Sequence, residues 1–391
     1  MKNITFIIPT KNRSPFLARL LNYYSELGFN GVLAIGDSSS GDHLKKNKLL
    51  VELLSLKLNI IYREFQELNQ ASTCIKLNKL VKTPYVALLN DDDILIPTSV
   101  QKCITFLDNN PDYSAAHGLG ISIKTPNTVP HGEIIKCVKK EIPVAEENTA
   151  TERFFMSMTN LADVHHSVHR SEIFSLHFSN SYPITENSYI SDHAFILWFS
   201  QMHTVLCGKV KELDILYIVR HIQDENSLWH KGLNGVYTWI SSPVWYINLE
   251  TYKDSIVDGL IRYDKLSLEK AQKTFDQGFF SYLSLWFYQS VCRDNREVSK
   301  FIDLYHMSLV FPYVPNIIDD KIIKVFRYLY PRMRIYFQKF WCLLTRCEPL
   351  NDNILSKLTT IVLPSLLSER SKYHKDFMPV YNSITNSSKI E

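Results

Sequence analysis

The chain of 391 residues carries 43 Lys and Arg against 40 Asp and Glu, a formal net charge of +3. That bias is too small to imply a nucleic-acid partner by itself. The 45% of apolar residues supports a well-filled core, and the length suits a first domain of roughly 230 to 240 residues plus a further helical part. No run of about 18 uninterrupted apolar residues is present, and Met1-Lys2-Asn3 leads straight into a short strand, so neither a transmembrane helix nor a signal peptide is expected. The seven cysteines, at 74, 103, 137, 207, 292, 342 and 347, are scattered without C-x-x-C spacing and read as reduced thiols of a cytosolic protein.

The first apolar run, Ile4 to Ile8, is β-rich and ends in Pro9-Thr10-Lys11-Asn12-Arg13. Ser14-Pro15 then looks like a helix N-cap with Pro at the first helical position. That helix places Phe16, Leu17, Leu20, Leu21 and Tyr24 on one face and stops near Gly28. A second strand, Val32 to Ile35, runs into the polar loop Gly36 to Asp42. A third, Leu58 to Tyr62, precedes a helix from about Asn69 to Lys82. A fourth, Tyr85 to Leu89, delivers Asn90-Asp91-Asp92-Asp93, after which Ile94 to Pro97 leads into a helix bearing Val100, Cys103, Ile104 and Leu107. Strands alternating with helices at this spacing predict a mostly parallel sheet flanked by helices, with ligands gathering at the carboxyl ends of its strands. Thr10, Asp37 and Asp92 all fall at such ends.

Carboxylates packed as tightly as Asp91, Asp92 and Asp93 repel one another. A cation at the end of a buried strand relieves that repulsion, and hard oxygen ligands suit Mg²⁺ or Mn²⁺ with a phosphorylated substrate. The competing reading is a turn and an acidic cap for the next helix.

These residues resemble a known family. Pro9 to Arg13 looks like the opening P-T-x-N-R of inverting GT-A glycosyltransferases of the large family-2 type. Asp37-Ser38-Ser39 resembles their nucleotide-contacting D-x-S loop, and Asn90 to Asp93 resembles their D-x-D-D metal motif. Order and spacing agree, over about residues 1 to 125 most firmly. The resemblance implies a Rossmann-like GT-A domain, a nucleotide-sugar donor held by Thr10, Arg13, Asp37, Asp91 and Asp92, and a base contact from Thr10 and Asp37, with uracil the commonest base. One departure stands out: the first aspartate of the metal motif is Asn90 here. Asp92 is therefore the expected direct metal ligand, with Asp91 near ribose or a metal-bound water, and Asp93 holding the loop or capping the helix.

Inversion at an anomeric carbon needs a general base for the incoming hydroxyl. Ser191-Asp192-His193 best matches the second-half acidic motif of the family, which makes Asp192 the expected base, with Glu186 as the runner-up and N-capping as the structural alternative. Arg220-His221, after the strand-like Ile215 to Val219, resembles the end of the catalytic domain, where His221 is the candidate second metal ligand; a purely structural histidine is the competing reading. His165, His166 and His169 include an i, i+4 pair but lack the Glu of H-E-x-x-H, so Val164 to Arg170 reads as acceptor-side wall and not as a zinc site. Neither a Walker A loop nor G-x-G-x-x-G follows the first strand, which weakens kinase and dehydrogenase readings.

The expected layout is thus a GT-A domain over residues 1–232, with a nucleotide-sugar half at 1–125 and an acceptor half at 126–232, then a helical region at 233–381 and a disordered tail at 382–391. Gly278 to Tyr288 is apolar almost all round, as a buried or interfacial helix would be. Lys321 to Arg346 holds seven Lys or Arg and no acid, interleaved with aromatics. It reads either as packed amphipathic helices or as a peripheral anchor on an anionic membrane surface, at the cytoplasmic face. The expected activity is metal-assisted transfer of a single sugar from a UDP-sugar or other nucleotide diphosphate sugar to a glycan or lipid-linked acceptor, since the processive Q-x-x-R-W signature is not found. A nucleotidyltransferase of similar fold and a non-catalytic glycan-binding or assembly protein are the alternatives.

Overall fold

The computed structural model describes residues 3–126, 129–140, 142–160, 164–179, 201–222, 245–292 and 362–385. Among them, strands β1 (Ile4–Thr10), β2 (Val32–Asp37), β3 (Asn59–Glu64) and β4 (Tyr85–Leu88) pair in the order β3-β2-β1-β4, all parallel. Their intervening helices are α1 (Ser14–Glu26), α2 (Gly41–Leu54) and α3 (Gln70–Asn78). Every residue of β1 is buried, as expected of a strand covered on both faces. Phe6 stacks on Phe29 with ring centroids 4.9 Å apart, and Leu17, Leu20, Leu21 and Tyr24 of α1 are buried in the same cluster.

Past the acidic loop the sheet changes character. β5 (Ile94–Leu95) and α4 (Pro97–Asn109) lead to the long β6 (Tyr113–Lys124), then β7 (Lys136–Lys140), α5 (Ala150–Asn160), β8 (Val168–Arg170), α6 (Ser171–Ser179), α7 (Met202–Cys207) and β9 (Lys209–His221). β4 continues into antiparallel β8, then β6, then β9 parallel to β6, then antiparallel β5, with β7 antiparallel on β6. The result is a mixed α/β sheet flanked by helices, parallel in its first half and mixed in its second.

Several expectations need correction. The hydroxyl of Ser14 does not cap α1; it bonds His43 Nδ1 at 2.8 Å, and Arg13 occupies the cap position with Pro15 in the first turn. α2 was not anticipated. His165 and His166 lie in a turn and His169 in β8, so their i, i+4 spacing is not helical.

By compactness the chain groups into two units. One compact unit comprises 1–272 together with 362–391, and the other comprises 273–361. In the first unit, α8 (Trp245–Asp264) packs on α7, α10 (Val362–Leu367) packs on β7, and α11 (His374–Thr385) packs on α1 and β9. Phe377, Val380 and Ile384 of α11 are buried in the main hydrophobic cluster. The helix reaches four residues into the stretch expected to be a disordered tail. α9 (Leu268–Cys292) spans the boundary; Phe275, Phe279 and Tyr282 are buried while Phe280 is 56% exposed, so its described part is amphipathic and not apolar all round. No helix among the described residues is long and apolar enough to cross a membrane.

Candidate active site

The carboxyl ends of β1, β2 and β4 converge on one polar rim. Thr10 and Asp37 are register partners across β1 and β2, and Ser38 N donates to Thr10 O at 2.9 Å. Asn12, at φ +55°, accepts from Ser40 N through Oδ1 and donates its own N–H to Ser39 Oγ, tying the loop after β1 to the loop after β2. Asn is one of the few residues that tolerates this left-handed turn. Asp37 organises the second loop: Oδ1 accepts from Ser39 N at 2.8 Å, and Oδ2 accepts from Asn47 at 2.8 Å and Tyr62 at 2.7 Å.

The three aspartates have three environments. Asp91 is buried, accepts the Thr10 hydroxyl at 2.7 Å, and lies 3.3 Å from Arg13 Nη1. Burial pushes its carboxyl up to about 7, with the Arg13 charge pulling the other way and the Asp92 charge adding to the rise. Asp92 is the most open of the three, its side chain 15% exposed, and accepts from Arg13 Nη2 at 2.7 Å. Arg13 thus bridges the two carboxylates while its guanidinium lies 4.8 Å from the Phe16 ring centroid. Although burial alone would lower the Arg13 pKa, Asp91 and Asp92 raise it above the ordinary value.

Asp93 is turned away from the rim. It accepts His221 N at 3.1 Å and pairs with Arg220 Nε at 3.3 Å, which fixes the loop to β9. Of the two roles open to it, it holds the loop; α4 has Ile96 at its cap position and no side-chain cap. Asn90 is a strut as well, accepting from Gln70 Nε2 at 3.0 Å and donating to Asp93 Oδ2 at 3.2 Å. His166, behind the same loop, donates from Nδ1 to Leu88 O and places Nε2 4.0 Å from Asp93.

A sequence profile described as Glycosyl transferase family 2 matches residues 5–169. Residues 5–169 are thus similar to the glycosyltransferases of that family. No curated protein sequence matches the chain. Among solved structures, Staphylococcus aureus TarS is similar at 14% identity and TM-score 0.44, over 73% of this chain and 44% of TarS, so the chain spans less than half of that protein. The 1–349 fragment of TarS in complex with UDP-GlcNAc is similar at 16% identity and TM-score 0.47, over 81% of this chain and 82% of the fragment.

The fold brings Thr10, Arg13, Asp37, Asp91 and Asp92 together on one rim. His221 is not arranged as a metal ligand. Its Nδ1 lies 2.9 Å from Arg19 Nη1, and an arginine can only donate, so Nδ1 accepts. Its Nε2 lies 2.9 Å from Thr125 Oγ1, whose own proton goes to Val129 O, so Nε2 carries the hydrogen and donates. Both ring nitrogens are spent, and burial, with Arg19 nearby, holds the ring neutral, its pKa lowered to about 4. Asp192 and Glu186 lie outside the described residues.

Sequence reasoning missed Arg19 and Asn47 and gave no role to Tyr62 or to Arg220 of Arg220-His221. Arg19 did leave a signal: it interrupts the apolar face of α1, three residues beyond Phe16, and is 2% exposed.

Proposed function

We propose that this chain transfers a single sugar, with inversion, from a nucleotide diphosphate sugar to a hydroxyl of a glycan or lipid-linked glycan, with UDP as the carrier. The observation that carries this reading is the convergence of Thr10, Arg13, Asp37, Asp91 and Asp92 in one bonded rim at the ends of adjacent parallel strands, within the residues similar to family 2 glycosyltransferases. Strand ends of this kind are where α/β sheets bind ligands. Asp37 accepts three hydrogen bonds where a carboxylate offers about four sites, leaving one for a base N–H. Arg13 presents a planar fork suited to a diphosphate.

The chemistry proposed is a direct displacement. Asp192 removes the proton from the acceptor hydroxyl, the acceptor oxygen bonds to the anomeric carbon, and the nucleotide diphosphate leaves from the opposite face with the electrons of the broken carbon–oxygen bond. Asp192 enters on the family resemblance. For the metal, Asp92 is the carboxylate that fits: it is a hard oxygen donor at the open side, whereas Asp91 is committed to Thr10 and Asp93 to β9. An Mg²⁺ or Mn²⁺ ion there would neutralise charge on the leaving diphosphate. The basic and aromatic segment 321–346, outside the described residues, is proposed to bring the enzyme to an anionic membrane surface.

Donor hydrolysis across a panel of nucleotide sugars, with and without Mn²⁺, tests the reading. Mn²⁺-dependent release of UDP from one member is expected. Pyrophosphate release from a nucleoside triphosphate and a sugar phosphate would indicate a nucleotidyltransferase instead. Glycan binding with no turnover of any donor would indicate an assembly protein.

A further inference from the structure

Arg19 is a charged side chain placed where the pattern of α1 calls for an apolar one. It is fully enclosed, and burial lowers its pKa to about 10, which still leaves it charged at neutral pH. Its Nε has no hydrogen-bond partner among the described residues, an omission that itself costs free energy in a buried site. A packing role alone would be served better by Leu or Met. The bonds it does make must therefore offset burial, and all of them lead to one place. Nη2 donates to the main-chain oxygen of Asp92. Nη1 donates to Pro130 O at 2.8 Å and meets His221 Nδ1 at 2.9 Å. The carboxylates of Asp92, Asp93 and Asp91 all attract the guanidinium, while Arg13 repels it.

The far side of this assembly is held by the last described helix. His131 Nδ1 donates to Ser383 O at 3.0 Å and Gly132 N donates to Ile384 O at 2.8 Å, so residues 129–132, which present Pro130 O to Arg19, are fastened to α11.

We infer that Arg19 is a positioning residue for Asp92: oriented by His221 and by the Pro130 carbonyl, it grips the Asp92 main chain from behind and aims the Asp92 carboxylate into the cleft. This assigns His221 the role of an acceptor that aligns Arg19, and it gives the C-terminal helix a part in shaping the donor site. The inference deepens the donor-site reading above and rests on it for its consequence, though the grip on the loop exists whether or not a nucleotide binds.

The test uses the full chain and three variants. Arg19→Met and His221→Leu remove the grip, whereas His221→Gln supplies one acceptor and one donor at a separation close to that of the ring nitrogens. The first readout is hydrogen exchange of the ligand-free protein over residues 88–96, with near-UV circular dichroism to establish that each variant is folded. Faster exchange is expected in that segment for Arg19→Met and His221→Leu, with β2 and β3 unchanged, and wild-type exchange for His221→Gln. The second readout is calorimetric titration of UDP in Mn²⁺. Affinity at least about tenfold weaker is expected for the Met and Leu variants, as loss of a charge-assisted contact would give, and within about twofold of wild type for the Gln variant. Wild-type exchange and affinity in both disruptive variants would overturn the inference. So would a Gln variant as weak as the Leu variant, since that pattern belongs to a metal-ligating histidine. If the wild type itself binds no UDP, the donor-site reading fails, and the exchange measurement alone decides the role of Arg19; where Arg19→Met does not fold, His221→Leu against His221→Gln decides it.

Discussion

The parallel and mixed halves of the sheet both bury polar side chains, but they put them to different uses. In the parallel half, Thr10, Asp37 and Asp91 stand at strand ends and bond to one another or to neighbouring loops, concentrating charge at a single rim. In the mixed half, His117, His169 and Arg170 lie within strands and bond to main-chain or scaffold groups: His169 to Val164 O and Thr204, Arg170 to Tyr113 O and Leu107 O. Burial keeps His169 neutral, its pKa lowered to about 3. The first half stores unlike and like charges for a ligand to exploit, while the second braces long strands whose register shifts leave carbonyls to be satisfied. Changes in the second half should therefore act on stability, and changes at the rim on binding and pH dependence.

The largest stability effect is expected at α11, which couples to both halves. Phe377 is fully buried, and Phe377→Ala should cost about 3–5 kcal/mol in urea denaturation. A loss below about 1 kcal/mol would mean that this helix is dispensable to the stability of the first unit. Next comes Asp192→Asn, which keeps capping ability but cannot act as a base; transfer should fall at least about 100-fold with little change in donor affinity. Near wild-type transfer would hand the role to Glu186.

Two glycines compare the halves directly. A Cβ on Gly118 of β6 would meet Ile215 O at 2.5 Å, main chain that cannot yield, whereas one on Gly36 of β2 would meet Thr73 Cγ2 at 2.4 Å and Leu77 Cδ1 at 3.0 Å, side chains that have some room to turn. Both alanine variants should lose about 1–3 kcal/mol from overpacking, with Gly118→Ala the worse. The reverse order, read from denaturation midpoints, would contradict the view that close strand packing dominates the mixed half.

A pH slope is expected as well. The Asp91 carboxyl, raised to about 7 in the folded chain from an ordinary 3.8, keeps its proton where the unfolded chain has released it. Its contribution to stability is therefore complete below its ordinary pKa and is lost as pH rises through about 7. Asp91→Asn cannot ionise, so its stability relative to wild type should improve between about pH 5 and pH 8. Parallel stability profiles for the two proteins would rule out a raised Asp91.

Much of the parallel half was legible because its strands are short apolar runs ending in distinctive polar motifs, and because α1 and α4 each present one mostly apolar face. α2 was not, since its buried positions are few and Leu49 and Leu53 are exposed, blurring the pattern. β9 was visible only at Ile215 to Val219, because its first part, Lys209 to Asp214, is polar and is held by pairing with β6. In the site, the strand-end pattern pointed to Thr10, Asp37 and Asp92 and the family resemblance added Arg13, and the fold brings these together. The role of His221 was not readable, because its partners Arg19 and Thr125 lie 202 and 96 positions away. Hydrogen-bond direction, set by an arginine that can only donate, decides it, and that is a property of the fold.

The most direct test of the central claim is calorimetric titration of UDP into wild type and Asp92→Ala, each with Mn²⁺ and with EDTA. The account predicts binding by wild type that is strong in Mn²⁺ and weak in EDTA, and weak binding by the variant in both. Equally tight UDP binding by wild type in Mn²⁺ and EDTA, or unchanged Mn²⁺-dependent binding by Asp92→Ala, would contradict it.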